Sequence, residues 1–197
     1  MRRIRTLSLV ASIGLLVVLV APVSADTSPN GTSFFSSASS CSTSGSREVC
    51  TDTNLSVTSN EDGSDGPPCL EVFKYSFASN GKFTDISDEF GCASDGTIAI
   101  GADFSVALDP TSITLQSCNR RSCTGSRTVT VSASDSPTGP ISTSTTRSTT
   151  KSGSCTTKTT TTDQFVELAG TMTVDDAIID QTGSLDVFAS TSTTHCK

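Results

Sequence analysis

Hydrophobic positions in this chain recur at period two. Ile98, Ile100, Ala102, Phe104, Val106 and Leu108 fall on every second residue, with small or polar residues between them. That alternation predicts a β-strand with one buried face. Eleven residues would span roughly 36 Å, long for one strand. The run is therefore read as two strands, or as one strand bent near Gly101. Shorter runs repeat the pattern. Leu55 and Val57 share one face of 54–59. Residues 69–79 place Cys69, Phe73, Tyr75 and Phe77 on one face, and Leu70 and Val72 on the other. Asn80-Gly81 is a two-residue hairpin signal that joins this strand to 82–86. Residues 60–68 (NEDGSDGPP) read as a loop and Asp109-Pro110 as a turn, after which Ile113 and Leu115 open the next strand. No stretch has helical periodicity of useful length. The predicted fold is all-β: a sandwich-like body of two tandem, related antiparallel halves, stapled by disulfides.

The two halves come from a colinear series of matches. Cys50-Thr51, Asp62, Gly66-Pro67, Asn80-Gly81, Asp88, Gly96-Thr97 and Ser112 recur as Cys123-Thr124, Asp135, Gly139-Pro140, Ser152-Gly153, Asp163, Gly170-Thr171 and Ser184. The offsets stay between 72 and 75 residues. The order is unbroken, which argues for a tandem duplication. The chain then divides into residues 1–25, a Ser/Thr-rich leader over 26–40, a first half over 41–117 and a second half over 118–197. The leader has one apolar pair, Phe34-Phe35, and reads as a mobile segment or an edge strand. Asp62 and Asp135, each followed by Gly-Pro, read as turn residues. The first half holds Phe73, Tyr75, Phe77, Phe83, Phe90 and Phe104 and is expected to have the better aromatic core. In its place the second half has residues 141–162, of which 16 of 22 are Ser or Thr. A strand polar on both faces belongs at an edge or projects from the body.

Composition adds an address. Arg2, Arg3 and Arg5 precede an apolar run over 7–20 and the small-residue site Val23-Ser24-Ala25, the pattern of a secretory signal peptide cleaved between Ala25 and Asp26. No later run is apolar enough to hold the protein in a membrane once the signal is removed. The mature chain carries 10 basic and 20 acidic residues, net −10, and 12 of the acids lie in 41–118. Such a surface repels phosphate backbones, so nucleic acid is not an expected partner. All eight cysteines lie in the mature part, four in each half. An even count in an exported chain predicts four disulfides. Pairing within halves suggests Cys41–Cys50, Cys69–Cys92, Cys118–Cys123 and Cys155–Cys196. Without any C-x-x-C pair, and with one His, a thiolate metal site is not expected.

Candidate chemistry is sparse. A Ser or Cys nucleophile needs a base, and His195 beside Cys196 reads as an exposed terminal residue. Neither a G-x-S-x-G elbow nor a phosphate-binding glycine loop occurs. Carboxylate catalysis has candidates in Asp85, Asp88 and Glu89, or in Asp52 with Asp62. Asn60, Asp62 and Asp65 offer hard oxygens to calcium, although their spacing departs from the EF-hand pattern. Asn30 and Asn54 open N-x-[ST] acceptor motifs. The leading expectation is a secreted, non-catalytic β-protein without a cofactor. Its role is structural or binding, toward an extracellular protein or a cell-surface partner. The alternatives are a carboxylate-dependent extracellular hydrolase and a calcium-stabilised adhesive module.

Overall fold

The computed structural model describes residues 31–59, 64, 66–118 and 123–196. The signal segment and its Ala25–Asp26 site, and Asn30, Asn60, Asp62 and Asp65, lie outside the described residues, as does the Asp85 side chain. Ten strands follow one another: β1 (Gly31–Ser44), β2 (Arg47–Thr58), β3 (Cys69–Ala78), β4 (Phe83–Cys92), β5 (Ile98–Ile100), β6 (Val106–Cys118), β7 (Cys123–Pro137), β8 (Ser142–Ser152), β9 (Cys155–Val174) and β10 (Ala177–Cys196). All pairings are antiparallel and belong to one sheet. The all-β, disulfide-stapled body is thus built from a single sheet, and that sheet closes. β10 pairs with β1 on one side and with β9 on the other, so the order β1-β2-β3-β4-β6-β7-β9-β10 returns to its start. Closure removes the sheet edges around the ring, which would otherwise recruit other strands.

The core fills the inside of this ring. Phe34, Leu55, Leu70, Ile113, Leu115, Val131, Leu168, Met172 and Leu185 are all buried within one continuous cluster, drawn from both expected halves. Burying each such side chain stabilises the fold by about 1.5–3 kcal/mol. The leader contributes here: β1 pairs with β10 through 31–37 and with β2 through 33–44, so it is an interior strand. Among the described residues Phe34 is the one fully buried aromatic. The aromatic core expected of the first half does not form: Phe73, Tyr75, Phe77, Phe83 and Phe90 stay outside the buried cluster, and of that group Phe104 alone packs against it.

The run 98–108 is a hairpin. Ile98 pairs with Leu108 and Ile100 with Val106. Between them Gly101 N–H donates to the Ser105 carbonyl at 2.8 Å, and Phe104 takes a left-handed φ of 64°. Asp103 Oδ1 accepts from Ser105 N–H and Oγ, which holds its carboxyl below the usual range. Asp109-Pro110 is no turn: β6 runs through it, and the ladder skips from Leu108 to Thr111. A proline lacks the donor that a regular ladder needs, and a bulge at this point removes the need. Gly81, with φ 77°, makes the β3–β4 turn at the expected place.

Strands extend past the ring in two places. β8, with 155–165 of β9 and 189–196 of β10, forms a three-stranded blade. Every residue of β8 is exposed, as expected of a projecting hairpin. From the ring's opposite end, 38–44 of β1 and 47–53 of β2 continue with the end of β3 and the start of β4 as a four-stranded flap.

Candidate functional site

The flap carries the aromatic residues on its outer face. Leu70 and Val72 turn toward the core, so Phe73, Tyr75 and Phe77 alternate outward along β3. Register sets their neighbours. Phe73 lies between Asp52 of β2 and Asp88 of β4, Tyr75 lies beside Cys50, and Phe77 lies between Glu48 and Phe83. A register shift at Lys74/Tyr75 adds one residue to β4 and keeps both Phe83 and Asp88 on this face. The rings form one strip. Phe73 stacks on Tyr75 at 5.3 Å between centroids, Tyr75 meets Phe77 edge-on at 5.5 Å, and Phe83 closes on Phe77 at 5.5 Å. These separations suit offset and edge-to-face aromatic pairs. Phe77 and Phe83 remain 39% and 46% exposed, enough for a second surface to reach them.

Charge on the flap is sorted by face. Glu48, Asp52, Glu71 and Asp88 share the parity of the rings, whereas Arg47 and Lys74 alternate to the opposite side. Tyr75 Oη donates to Asp52 Oδ1 at 3.4 Å. Desolvation raises the Tyr75 hydroxyl above its ordinary pKa, the Asp52 and Glu48 carboxylates push it further, and a hydrogen bond with Ser39 opposes the rise. Glu71 accepts a hydrogen bond from Asn54 Nδ2 at 3.0 Å, so the second N-x-[ST] acceptor is already engaged. Sequence reasoning missed this surface by assigning the rings to a core. The available signal was Glu71, which stands at the parity of Phe73 and Tyr75.

Among the expected carboxylate candidates whose side chains are described, Glu89 stands apart from Asp52 and Asp88, which flank Phe73. Asp88 and Glu89 are consecutive in β4 and point to opposite faces. Glu89 Oε2 is held by Arg127 of β7 through Nε at 2.9 Å and Nη2 at 2.8 Å. The bridges join Cys41 to Cys50, Cys69 to Cys92, Cys118 to Cys123 and Cys155 to Cys196. Each joins residues directly opposite in an antiparallel ladder. Glu48 lies close to the sulfurs of Cys41 and Cys50, but both are oxidised and offer no thiolate to a metal.

Three further places hold polar or apolar groups together. On the blade, hydroxyl rows cross the strands: Thr150–Thr157–Thr194, Ser148–Thr159–Ser192 and Thr146–Thr161–Ser190. Thr157 and Thr159 are 2.8 Å from Thr194 and Ser192, a cross-strand pairing that stabilises the sheet. Arg147, Lys151, Lys158 and His195 take the other face. An open groove of about 430 Å³ over β1, β9 and β10 is lined by Phe35, Phe165, Glu167 and Ser184 among others. Inside the ring, Gln181 Nε2 donates to Asp135 Oδ2 at 2.7 Å. Asp135 is 1% exposed and lies within β7, so it is a core residue and not the turn residue its Gly-Pro context suggested. Burial raises its pKa, and the Gln181 bond opposes the rise.

The chain matches no protein-family model, no curated protein and no solved structure. Four disulfides are typical of extracellular proteins.

Proposed function

We propose that this chain is an exported, non-catalytic binding protein that meets an extracellular protein or a cell-surface partner through the outer face of the β2–β4 flap. One observation carries the reading: a contiguous aromatic strip held outside the core on a disulfide-bridged sheet. Keeping large rings half in water costs solvation that folding does not recover, and contiguous exposed apolar surface marks interaction sites. Tyrosine and phenylalanine are enriched at such contacts. The Cys41–Cys50 bridge ties the two strands beside the strip and limits the order lost on binding.

Export is supported by the signal-type segment over 1–25 and by the four bridges. Tandem duplication of 41–117 and 118–197 is supported by the paired turns: Gly81 closes β3–β4 and Gly153 closes β8–β9, both with left-handed φ. A hydrolase reading has less support, since Glu89 is committed to Arg127 on the face away from Asp88.

Binding of the purified mature protein to washed cells of the producing organism tests the reading. The wild type is expected to co-sediment saturably, and a Phe73→Ser/Phe77→Ser/Phe83→Ser variant to lose that binding. Equal binding by both proteins overturns it. So does a hydrolytic activity of the wild type that Asp52→Asn abolishes.

A further inference from the structure

We infer that the aromatic face of the flap takes a cationic occupant, an arginine- or lysine-bearing segment of a basic extracellular protein. The inference rests on the reading of this face as the binding surface and names the chemistry of the partner.

The reason is how charge and rings are placed together. A π-face carries negative potential and attracts ammonium or guanidinium groups within about 6 Å of the ring centre. Here Phe73, Tyr75, Phe77 and Phe83 form one strip. Carboxylates stand along both flanks: Glu48 and Asp52 on β2, Asp88 on β4. Among the described side chains of β2, β3 and β4, no Lys or Arg shares the face; Arg47 and Lys74 lie on the opposite one. Lys82, in the β3–β4 turn, adjoins Phe83 in sequence. A long cationic side chain laid on the strip would put its stem against the rings and its charge beside a carboxylate. Arginine fits best, because its planar guanidinium stacks on a ring and forks to a carboxylate at once. The excess acid of 41–118 would also steer a basic partner toward this half.

Other occupants are disfavoured on the same grounds. An acidic or phosphorylated partner would meet like charge. A second copy docking strip to strip would bring Glu48, Asp52 and Asp88 against their own duplicates, and like charges facing one another are repulsive.

The chain has one tyrosine and no tryptophan, so its tyrosine emission reports Tyr75 alone. Titration of the purified mature protein with an oligoarginine peptide is expected to change that emission saturably, with an affinity that weakens as salt is raised. Glu48→Gln/Asp52→Asn/Asp88→Asn is expected to weaken binding by about tenfold or more, and Phe77→Ser/Phe83→Ser by about tenfold. Both variants keep Tyr75 as the probe, and their circular dichroism checks folding. An oligoglutamate peptide should leave the emission unchanged. Unchanged affinity in the phenylalanine variant would reduce the effect to general charge attraction and overturn the inference. So would sedimentation velocity showing self-association that the same variant abolishes. If oligoarginine produces no saturable change while the phenylalanine variants still lose cell binding, the cationic occupant falls and the binding face stands. If cell binding is also unaffected, both fall.

Discussion

At the scale of single residues, the core contains one device that hydrophobicity does not explain. Asp135 on β7 and Gln181 on β10 flank Gly170 of β9, which pairs with both. Their side chains meet because Gly170 has none. A Cβ there would run into the Ser134 carbonyl and Asp135 itself. Gly170→Ala is therefore expected to cost about 2–4 kcal/mol, read by urea denaturation. Asp135 Oδ1 and Gln181 Oε1 have no protein hydrogen-bond partner. A proton on Oδ1 would supply the missing donor, and burial favours that neutral form. The sign follows. The pKa of Asp135 is raised on folding, so its contribution is fully present below the unfolded value of about 3.9 and is lost as pH rises through the folded value. Stability measured against pH should show this decline above pH ~4, and Asp135→Asn should flatten that part of the curve. An identical pH profile in the variant would exclude Asp135 as the titrating group.

At the scale of elements, the four bridges differ in what they hold. Cys118–Cys123 closes a separation of 5 residues between β6 and β7, whereas Cys155–Cys196 closes 41 and ties β9 to β10 near the blade's tip. In the chain-entropy picture, removing the long bridge should cost about 4 kcal/mol and the short one about 2 kcal/mol. Paired Cys→Ser variants in urea would give the order. Hydrogen exchange offers a second readout: loss of Cys155–Cys196 should speed exchange in 155–165 and 189–196 while amides near Leu168 and Leu185 stay protected. The blade depends on its bridge and hydroxyl rows because little of it reaches the core. The buried part of β9 begins only at Val166.

At the scale of the whole molecule, ring closure has one thin seam. β4 and β6 share three residue pairs, Asp88–Cys118, Glu89–Ser117 and Phe90–Gln116. Beside it, Arg127 of β7 reaches across to Glu89. That ion pair is half exposed on the arginine side, so Glu89→Gln is expected to cost less than about 1 kcal/mol, and less still at high salt. The larger effect should be local, with amides of 88–90 and 116–118 exchanging faster in the variant than those of the β9–β10 ladder. The seam is also a place of close backbone approach, since a Cβ at Gly91 would strike the Thr114 carbonyl.

Much of this architecture is local and was legible along the chain. Period-two alternation marks strands because the pleat sends successive side chains to opposite faces. Asn80-Gly81 marks its hairpin because glycine accepts a left-handed φ. The four cysteines in each expected half suggested the bridges through pairing within halves, and the exposed Thr-rich strand followed from having nothing apolar to bury. What depended on contacts between distant segments was not legible. Which face of 69–77 meets the core is decided by where β2 and β4 place Leu55 and Gly91, so Phe73, Tyr75 and Phe77 ended outside. Phe34 entered the core because β10, some 150 residues later in sequence, pairs with β1 and closes the ring. Asp135 became a buried acid for the same reason. The sequence alone determined most of the strands and the Asn80-Gly81 turn, which short-range sterics and alternation specify. Only the tertiary structure decided closure, the inside and outside of each strand, and therefore the surface left free to bind.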